Sequence, residues 1–367
     1  MNIADTAILP AGFRRWLDDN ARNFDIASND AAALLPQMAE AGLFGIGVSV
    51  RFGGTGADVA EATRAIAAVS AHSLAAGFVF WGHRSFIEYL LQSPNDALRD
   101  RLLPDLLAGR RAGATGLSNA MKFLNGLEEL QIKATRDDRS IQIDGKLPWV
   151  TNLRPDGFDV AAAVQGYGHR PAFIASLSSD NTGVKRSDDL DLMAMRATNT
   201  AAIKIEHARI GEESIIHPNA SEWLPRVRPA FLGLQCGMSI GLARRSLLEA
   251  KGHFGSSRGV LTGPIEDLTK ELADIETRLL SHLVGPLFIE QPVLLFRLRI
   301  RLAEIVNQSV QLELSAAGGK AYLSVPGEGY QRRLRESAFI PVITPSLVQL
   351  KAAIDAHEQR LTTREIA

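Results

Sequence analysis

At 367 residues the chain exceeds what one ordinary hydrophobic core organises, so two or three domains are expected. Forty basic residues against forty-one acidic ones leave a formal charge of −1, which gives no electrostatic basis for a nucleic-acid or anionic-membrane partner. The one cysteine, Cys236, excludes an intramolecular disulfide and suits a reducing cytoplasm.

The first residues, MNIADTAILPAGFRRW, lack the basic-then-apolar order of a secretory signal, and no apolar run approaches the roughly 20 residues of a membrane span. A cytoplasmic, soluble protein is the expectation. The eight histidines are scattered without a metal-ligand spacing, so no metal site is expected.

Residues 1–111 read as helices. Ala31–Ala41 and Ala57–Ala71 carry apolar residues at three-and-four spacing, Leu98–Ala108 continues the pattern, and Gly109 closes it. Residues 112–216 shift to strands. GATGLS opens the region; Glu129–Arg136 and Ser140–Asp144 alternate apolar and polar residues around an Asp137-Asp138-Arg139 turn. DVAAAVQ, AFIASL and AAIKIEHARI follow, separated by glycine and Asp/Ser turns. Residues 217–367 are helical again: Pro229–Lys251, Glu266–Leu283, Val293–Ala317 and Leu347–Leu361.

In the first of these helices Gly233, Gly237 and Gly241 stand four apart on one face, each costing about 1 kcal/mol relative to alanine. Such a stripe calls for a close approach, by another backbone in the core or by a ligand. Two motif matches are declined. Gly54-Thr55-Gly56 lacks the third glycine and the strand–turn–helix setting of a dinucleotide fingerprint. Gly255-Ser256-Ser257-Arg258-Gly259 fits G-x-S-x-G but follows a helix, not a strand.

Gly145-Lys146-Leu147-Pro148-Trp149-Val150-Thr151-Asn152 places an aromatic wall beside a compact hydrogen-bonding edge at a strand end, which suits a planar heterocycle. The competing reading is a buried tryptophan closing a hairpin. Four segments in this order resemble the acyl-CoA dehydrogenase family of flavoproteins. Gly145–Asn152 is similar to its G-x-K-x-W-[IV]-T-N signature, with the lysine one place early. Leu35–Gly42 with Leu43-Phe44-Gly45 and Arg51–Gly56 is similar to its N-terminal region. Gly318-Gly319 and Arg332–Ser337 are similar to its GG-x-G … R-x-x-R-D-A run. The resemblance spans nearly the whole chain. It implies an α+β fold with an N-terminal helical domain, a central β-barrel-like domain and a C-terminal four-helix bundle.

It also implies bound FAD. Trp149 would flank the isoalloxazine, Thr151 would meet its N5–O4 edge, and Arg258 would reach the diphosphate of the adjoining subunit's flavin. Gly318 and Gly319 would pass the adenosine portion, Ser118 and Asn119 the pyrimidine edge, and Ser346 would contact the flavin. A homodimer or homotetramer follows, since the family's site is built across subunits, with an electron-transfer flavoprotein or a flavin reductase as redox partner.

Two departures bear on the reaction. The family's T-E-x-x-x-G-S-D run is replaced by Gly116–Asn125, without the Gly-Ser-Asp turn. The family's base, the glutamate of I-Y-E-G-T, is replaced by Thr344, and threonine is no base near neutrality. The alternative base position, on the first bundle helix, also fails: residues 228–247 contain no Asp or Glu. The broad expectation is an acyl-CoA dehydrogenase-type oxidoreductase acting on a small molecule. The alternatives are a monooxygenase or N-hydroxylase using reduced FMN or FAD from a reductase, and a non-catalytic ligand-binding relative. Phe78–Phe86 adds Trp81 and His83 on a helix expected to face the pocket, with His83 as a donor to substrate or as a partly buried helix histidine.

Overall fold

In the computed structural model, which describes residues 8–366 apart from 28–29, 125, 127, 138–139 and 254–258, five long α-helices precede the first strand among the described residues. They are α1 (Ala11–Ile26), α2 (Ala31–Glu40), α3 (Val59–Ser70), α4 (Leu74–Leu91) and α5 (Asp96–Leu107). Side chains fix where three of them start. Asp58 accepts from the amide of Ala60 at 2.8 Å, Ser73 from that of Ala76 at 3.3 Å, and Asn95 from that of Leu98 at 3.1 Å. From Leu74 to Leu90, α4 is buried on every side, the mark of a helix at the centre of a fold.

Strands occupy Ala112 to His217: β1 (Ala112–Thr115), β2 (Lys133–Asp137), β3 (Ser140–Val150), β4 (Phe158–Val164), β5 (Phe173–Ser178), β6 (Val184–Asp189), β7 (Ala201–Ile210) and β8 (Ile215–His217). They form two four-stranded sheets, ordered β1-β4-β5-β8 and β2-β3-β7-β6. The β1–β4 pair is parallel; the other named pairs are antiparallel.

Two expectations for this region need correction. GATGLS is a strand only as far as Thr115, and Ser118–Leu124 is a helix, α6. The ELQIKATR strand begins at Lys133, because the Asn119 amide clasps the chain before it. Asn119 Nδ2 donates to the Glu129 carbonyl at 3.0 Å and its Oδ1 accepts from the Gln131 amide at 2.9 Å.

After Asn219 the described residues are mostly helical. α7 (Ala220–Gly252) is capped by the Asn219 side chain and carries Pro225 and Pro229 inside it, so it starts well before the expected Pro229. α8 (Thr262–His282), the short α9 (Leu287–Glu290), α10 (Pro292–Ala317), α11 (Glu328–Phe339) and α12 (Leu347–Ile366) follow. The glycine stripe is filled by protein. A Cβ at Gly237 would lie 2.6 Å from the Thr63 carbonyl oxygen of α3, one at Gly241 would overlap the Ala67 carbonyl, and one at Gly233 the Leu283 side chain. Core packing, not a ligand, explains the stripe.

The RRLRES segment lies on α11 and locks three parts of the chain together. The buried carboxylate of Asp25 on α1 accepts from Arg335 Nε at 2.9 Å and from the Met195 amide at 3.0 Å. Arg333 pairs with Glu313 on α10, both buried. Arg332 pairs with Glu336, which also accepts from the Leu74 amide at the start of α4 at 3.0 Å. Burial raises the Glu336 carboxyl above the usual carboxylate range, against the opposing pull of Arg332.

Candidate active site

Strand β3 outruns its partner β2, whose pairing stops at Asp144. Beyond it β3 pairs only with β7, and the register slips between Leu147 and Val150. That irregularity holds Pro148 and Trp149, so the indole is turned outward and is 62% exposed. The buried, hairpin-closing reading of Trp149 is therefore wrong. Two residues later Thr151 is buried, and its hydroxyl donates to the Thr198 carbonyl at 3.2 Å. Its lone pairs remain to accept. Asn152 turns the chain with φ 63°, and its side-chain amide donates to the Gly113 carbonyl at 2.9 Å. That residue fastens β3 to β1.

Helix α4 passes beneath this strand end. Gly82 faces the Thr151 methyl, where a Cβ would sit 3.0 Å away. The preceding residue, Trp81, donates its indole N–H to the Phe231 carbonyl of α7 at 3.3 Å. Phe78 stacks on Trp81 with centroids 5.5 Å apart, Trp81 meets Phe231 at 5.3 Å, and Phe78 meets Phe339 edge-on at 4.8 Å. These four rings form one aromatic layer between α4, α7 and the end of α11.

His83 is not part of it. Two residues along a helix turn a side chain by about 200°, so Trp81 and His83 face different neighbours. His83 is fully buried, its ring 4.2 Å from that of Phe44. Nε2 donates to the Leu106 carbonyl at 2.9 Å and Nδ1 accepts from the Gly113 amide at 2.9 Å, an assignment that leaves the ring neutral. Burial lowers its pKa to about 4. His83 is a structural pin between α4, α5 and β1, with no hydrogen left for a substrate.

Beyond the aromatic layer lies the segment that carries Thr344. Gln235 on α7 donates its amide to the Thr344 carbonyl at 3.0 Å. Gln235 Oε1 in turn accepts from Arg299 Nε at 2.8 Å, and Arg299 Nη2 donates to the Ile340 carbonyl at 2.7 Å. Ser346 is occupied in a capping box with Gln349. The Ser346 amide donates to Gln349 Oε1 at 2.7 Å, and Ser346 Oγ accepts from the Gln349 amide at 3.4 Å.

The remaining expected site residues are placed as follows. Ser118 is half-buried at the first turn of α6. Asn119 is committed to the clasp described above, with both ends of its amide engaged by the chain. Gly318 ends α10 with φ 62°, a backbone that favours glycine, and among the described residues nothing beyond its chain neighbours lies within 4 Å of a Cβ at Gly319. Arg258 and the serine of the declined G-x-S-x-G match lie outside the described residues.

Gln235 and Arg299 were legible but overlooked. Gln235 is the one carboxamide in an apolar helical run, 229–243. Arg297, Arg299 and Arg301 alternate, so on a helix the middle one must face away from the other two.

Among the described residues no cluster of three His, Cys, Asp or Glu could hold a metal, and no helix is long and apolar enough to cross a membrane.

The architecture has known counterparts. It aligns with glutaryl-coenzyme A dehydrogenase in its glutaryl-CoA complex over 96% of this chain and 94% of that one, at a TM-score of 0.79 and 16% identity. KijD3 in complex with FMN and dTDP-3-amino-2,3,6-trideoxy-4-keto-3-methyl-D-glucose aligns over 98% of this chain and 94% of its own, at a TM-score of 0.78 and 16% identity. The fold is that of the acyl-CoA dehydrogenases. In sequence, the profile of the acyl-CoA dehydrogenase N-terminal domain matches residues 11–110. The mitochondrial isovaleryl-CoA dehydrogenase of Pongo abelii is 26% identical over 261 residues, which span 67% of this chain and 60% of that protein. Both in fold and over two thirds of its sequence the chain is similar to acyl-CoA dehydrogenases, which are flavin-dependent oxidoreductases, and it spans 60% of that isovaleryl-CoA dehydrogenase.

Proposed function

We propose that the protein is a flavin-dependent oxidoreductase that oxidises a small molecule with reduced flavin and oxygen, and is not a thioester desaturase. The observation that carries this reading is the place of Thr344. Its carbonyl is held by Gln235, and the residues that α7 brings to Trp81 and Thr344, Phe231 and Gln235, carry an aromatic ring and a carboxamide and no carboxylate. Removing an α-proton from a thioester requires a positioned base, and neither a threonine hydroxyl nor a glutamine amide supplies one near neutrality. Glu336, close by in the chain, is held by Arg332 and the Leu74 amide and is fully buried.

The residues present suit a flavin. An exposed indole at a strand irregularity gives a flat apolar wall, and the Thr151 hydroxyl stands two residues away with free lone pairs. Trp149 would flank the ring system and Thr151 would accept from its N–H edge; FAD or FMN would supply the two-electron chemistry. Gly318, Gly319, Ser118 and Arg258 are proposed contacts for the rest of the cofactor. Thr344 contributes shape and not a base. The layer of Phe78, Trp81, Phe231 and Phe339 keeps water from the reacting atoms. A homodimer or homotetramer and a separate flavin reductase complete the proposal.

Desaturation of an acyl-CoA is the second reading, favoured by the isovaleryl-CoA dehydrogenase relatives. One experiment separates the two. The flavin-loaded protein is titrated anaerobically with short, branched and long acyl-CoAs while the oxidised flavin band is followed. No bleaching is expected, and Thr344→Glu is expected to introduce it. Bleaching of the unaltered protein would rule out the oxygen-dependent reading and show that a base operates outside Thr344.

A further inference from the structure

Among the described residues, two arginines of the helical domain lack the carboxylate partner that its other buried or half-buried arginines have. Arg244 pairs with Glu276, Arg301 with Glu271, Arg332 with Glu336 and Arg333 with Glu313. Arg299, by contrast, is fully buried without a carboxylate. Two of its nitrogens are used on Gln235 and Ile340, and Nη1 has no partner. Arg228 on α7 is half-buried, its covered Nε has no partner, and no ion pair reaches it among the described residues. The guanidinium carbon lies 5.4 Å from the centroid of the Phe296 ring on α10. Desolvation alone lowers its pKa to about 10. A cation drawn this far out of water without a counter-charge is costly, and such groups gather where a ligand supplies the missing charge.

The position of Arg228 ties it to the proposed site. Arg228, Phe231 and Gln235 recur at helical spacing on one face of α7. Phe231 packs on Trp81, and Gln235 holds the Thr344 carbonyl. Seven residues at 1.5 Å each separate Arg228 from Gln235 by about 10 Å along the helix.

We propose that Arg228 recognises an anionic group, a carboxylate or a phosphate, carried by the substrate about 10 Å from the position where it reacts. This inference rests on the reading of the Trp81–Thr344 region as the substrate site. The planar fork of arginine gives such a group paired, charged hydrogen bonds. Phe296 then backs the guanidinium without competing for its donors.

The test uses binding by calorimetry, without turnover. The probes are the glutaryl and pentanoyl thioesters of N-acetylcysteamine, alike in chain length and different in one carboxylate, and coenzyme A itself, which carries phosphates and no acyl group. The expected result is that an anionic probe binds roughly tenfold or more tightly than the pentanoyl thioester. Arg228→Met should erase that preference and Arg228→Lys should keep part of it. An Arg228-dependent preference for the glutaryl thioester identifies a carboxylate; Arg228-dependent binding of coenzyme A identifies a phosphate. Equal binding of all three probes, or a preference that survives Arg228→Met, overturns the proposal. Should Arg228→Met not fold, Arg228→Gln carries the same arm. FAD and FMN binding is titrated separately by absorbance. Loss of flavin binding with the anion preference intact would remove the oxidoreductase reading and leave the anion site standing.

Discussion

The side-chain amide of Gln235 donates to the backbone carbonyl of Thr344 across 3.0 Å, and the same side chain accepts from Arg299. One carboxamide therefore serves both a buried cation and the segment that carries Thr344. Gln235→Leu leaves both groups unpaired in the interior, and a loss of about 3 kcal/mol or more in urea unfolding is expected. Gln235→Glu keeps an acceptor for Arg299 and loses only the donor to Thr344, so it should cost about half as much. Equal losses in the two variants would show that the contact with Arg299 is irrelevant.

His83 predicts an acid-sensitive fold. Below its ordinary pKa of 6.5 the unfolded chain takes up a proton that the folded ring refuses until about pH 4. The unfolded state then binds more protons, so stability rises with pH across that window, by roughly 3 kcal/mol in all. Denaturant midpoints at pH 4.5, 5.5 and 7 check it. His83→Gln should be less stable at pH 7 yet flatter with pH; identical slopes in the two proteins would remove this account.

Trp149 should separate binding from stability. Its indole is mostly exposed, so Trp149→Ala is expected to change unfolding free energy by no more than about 0.5 kcal/mol. Flavin affinity, read by absorbance titration, should fall by about fivefold or more through loss of a ring contact. Unchanged affinity would move the flavin away from β3.

Ser346 gives the opposite pattern. As the first member of a capping box for α12, Ser346→Ala should cost about 1 kcal/mol in stability. A large fall in flavin affinity at unchanged stability would restore the cofactor contact expected from its position beside Thr344.

How much of this was legible depended on the kind of signal. The three-part plan followed from periodicity, because helices and strands with one buried face declare themselves in the spacing of apolar residues. The Trp149–Asn152 edge was legible as a motif, but its exposure was not. Exposure there depends on β2 stopping short and on a register slip against β7, which are long-range events. The grouping of His83 with Trp81 was an avoidable error, since residues two apart on a helix do not share a face. Ser346-Leu347-Val348-Gln349 was a capping signature read instead through resemblance. The clasp made by Asn119 had no local signal, because its partners lie across residues whose path only the fold decides.

The Asp25–Arg335 pair also orders events during synthesis. Asp25 is made 310 residues before Arg335, yet the carboxylate is wholly buried and takes its charge partner from α11. Until α11 emerges, the first helix must either leave that charge in water or bury it alone, and burial alone is the costlier course. The Leu74 amide, which opens the central helix, likewise waits for Glu336. The N-terminal helices are thus translated well before the segment that completes them. A nascent chain halted before residue 328 should expose α1 to protease.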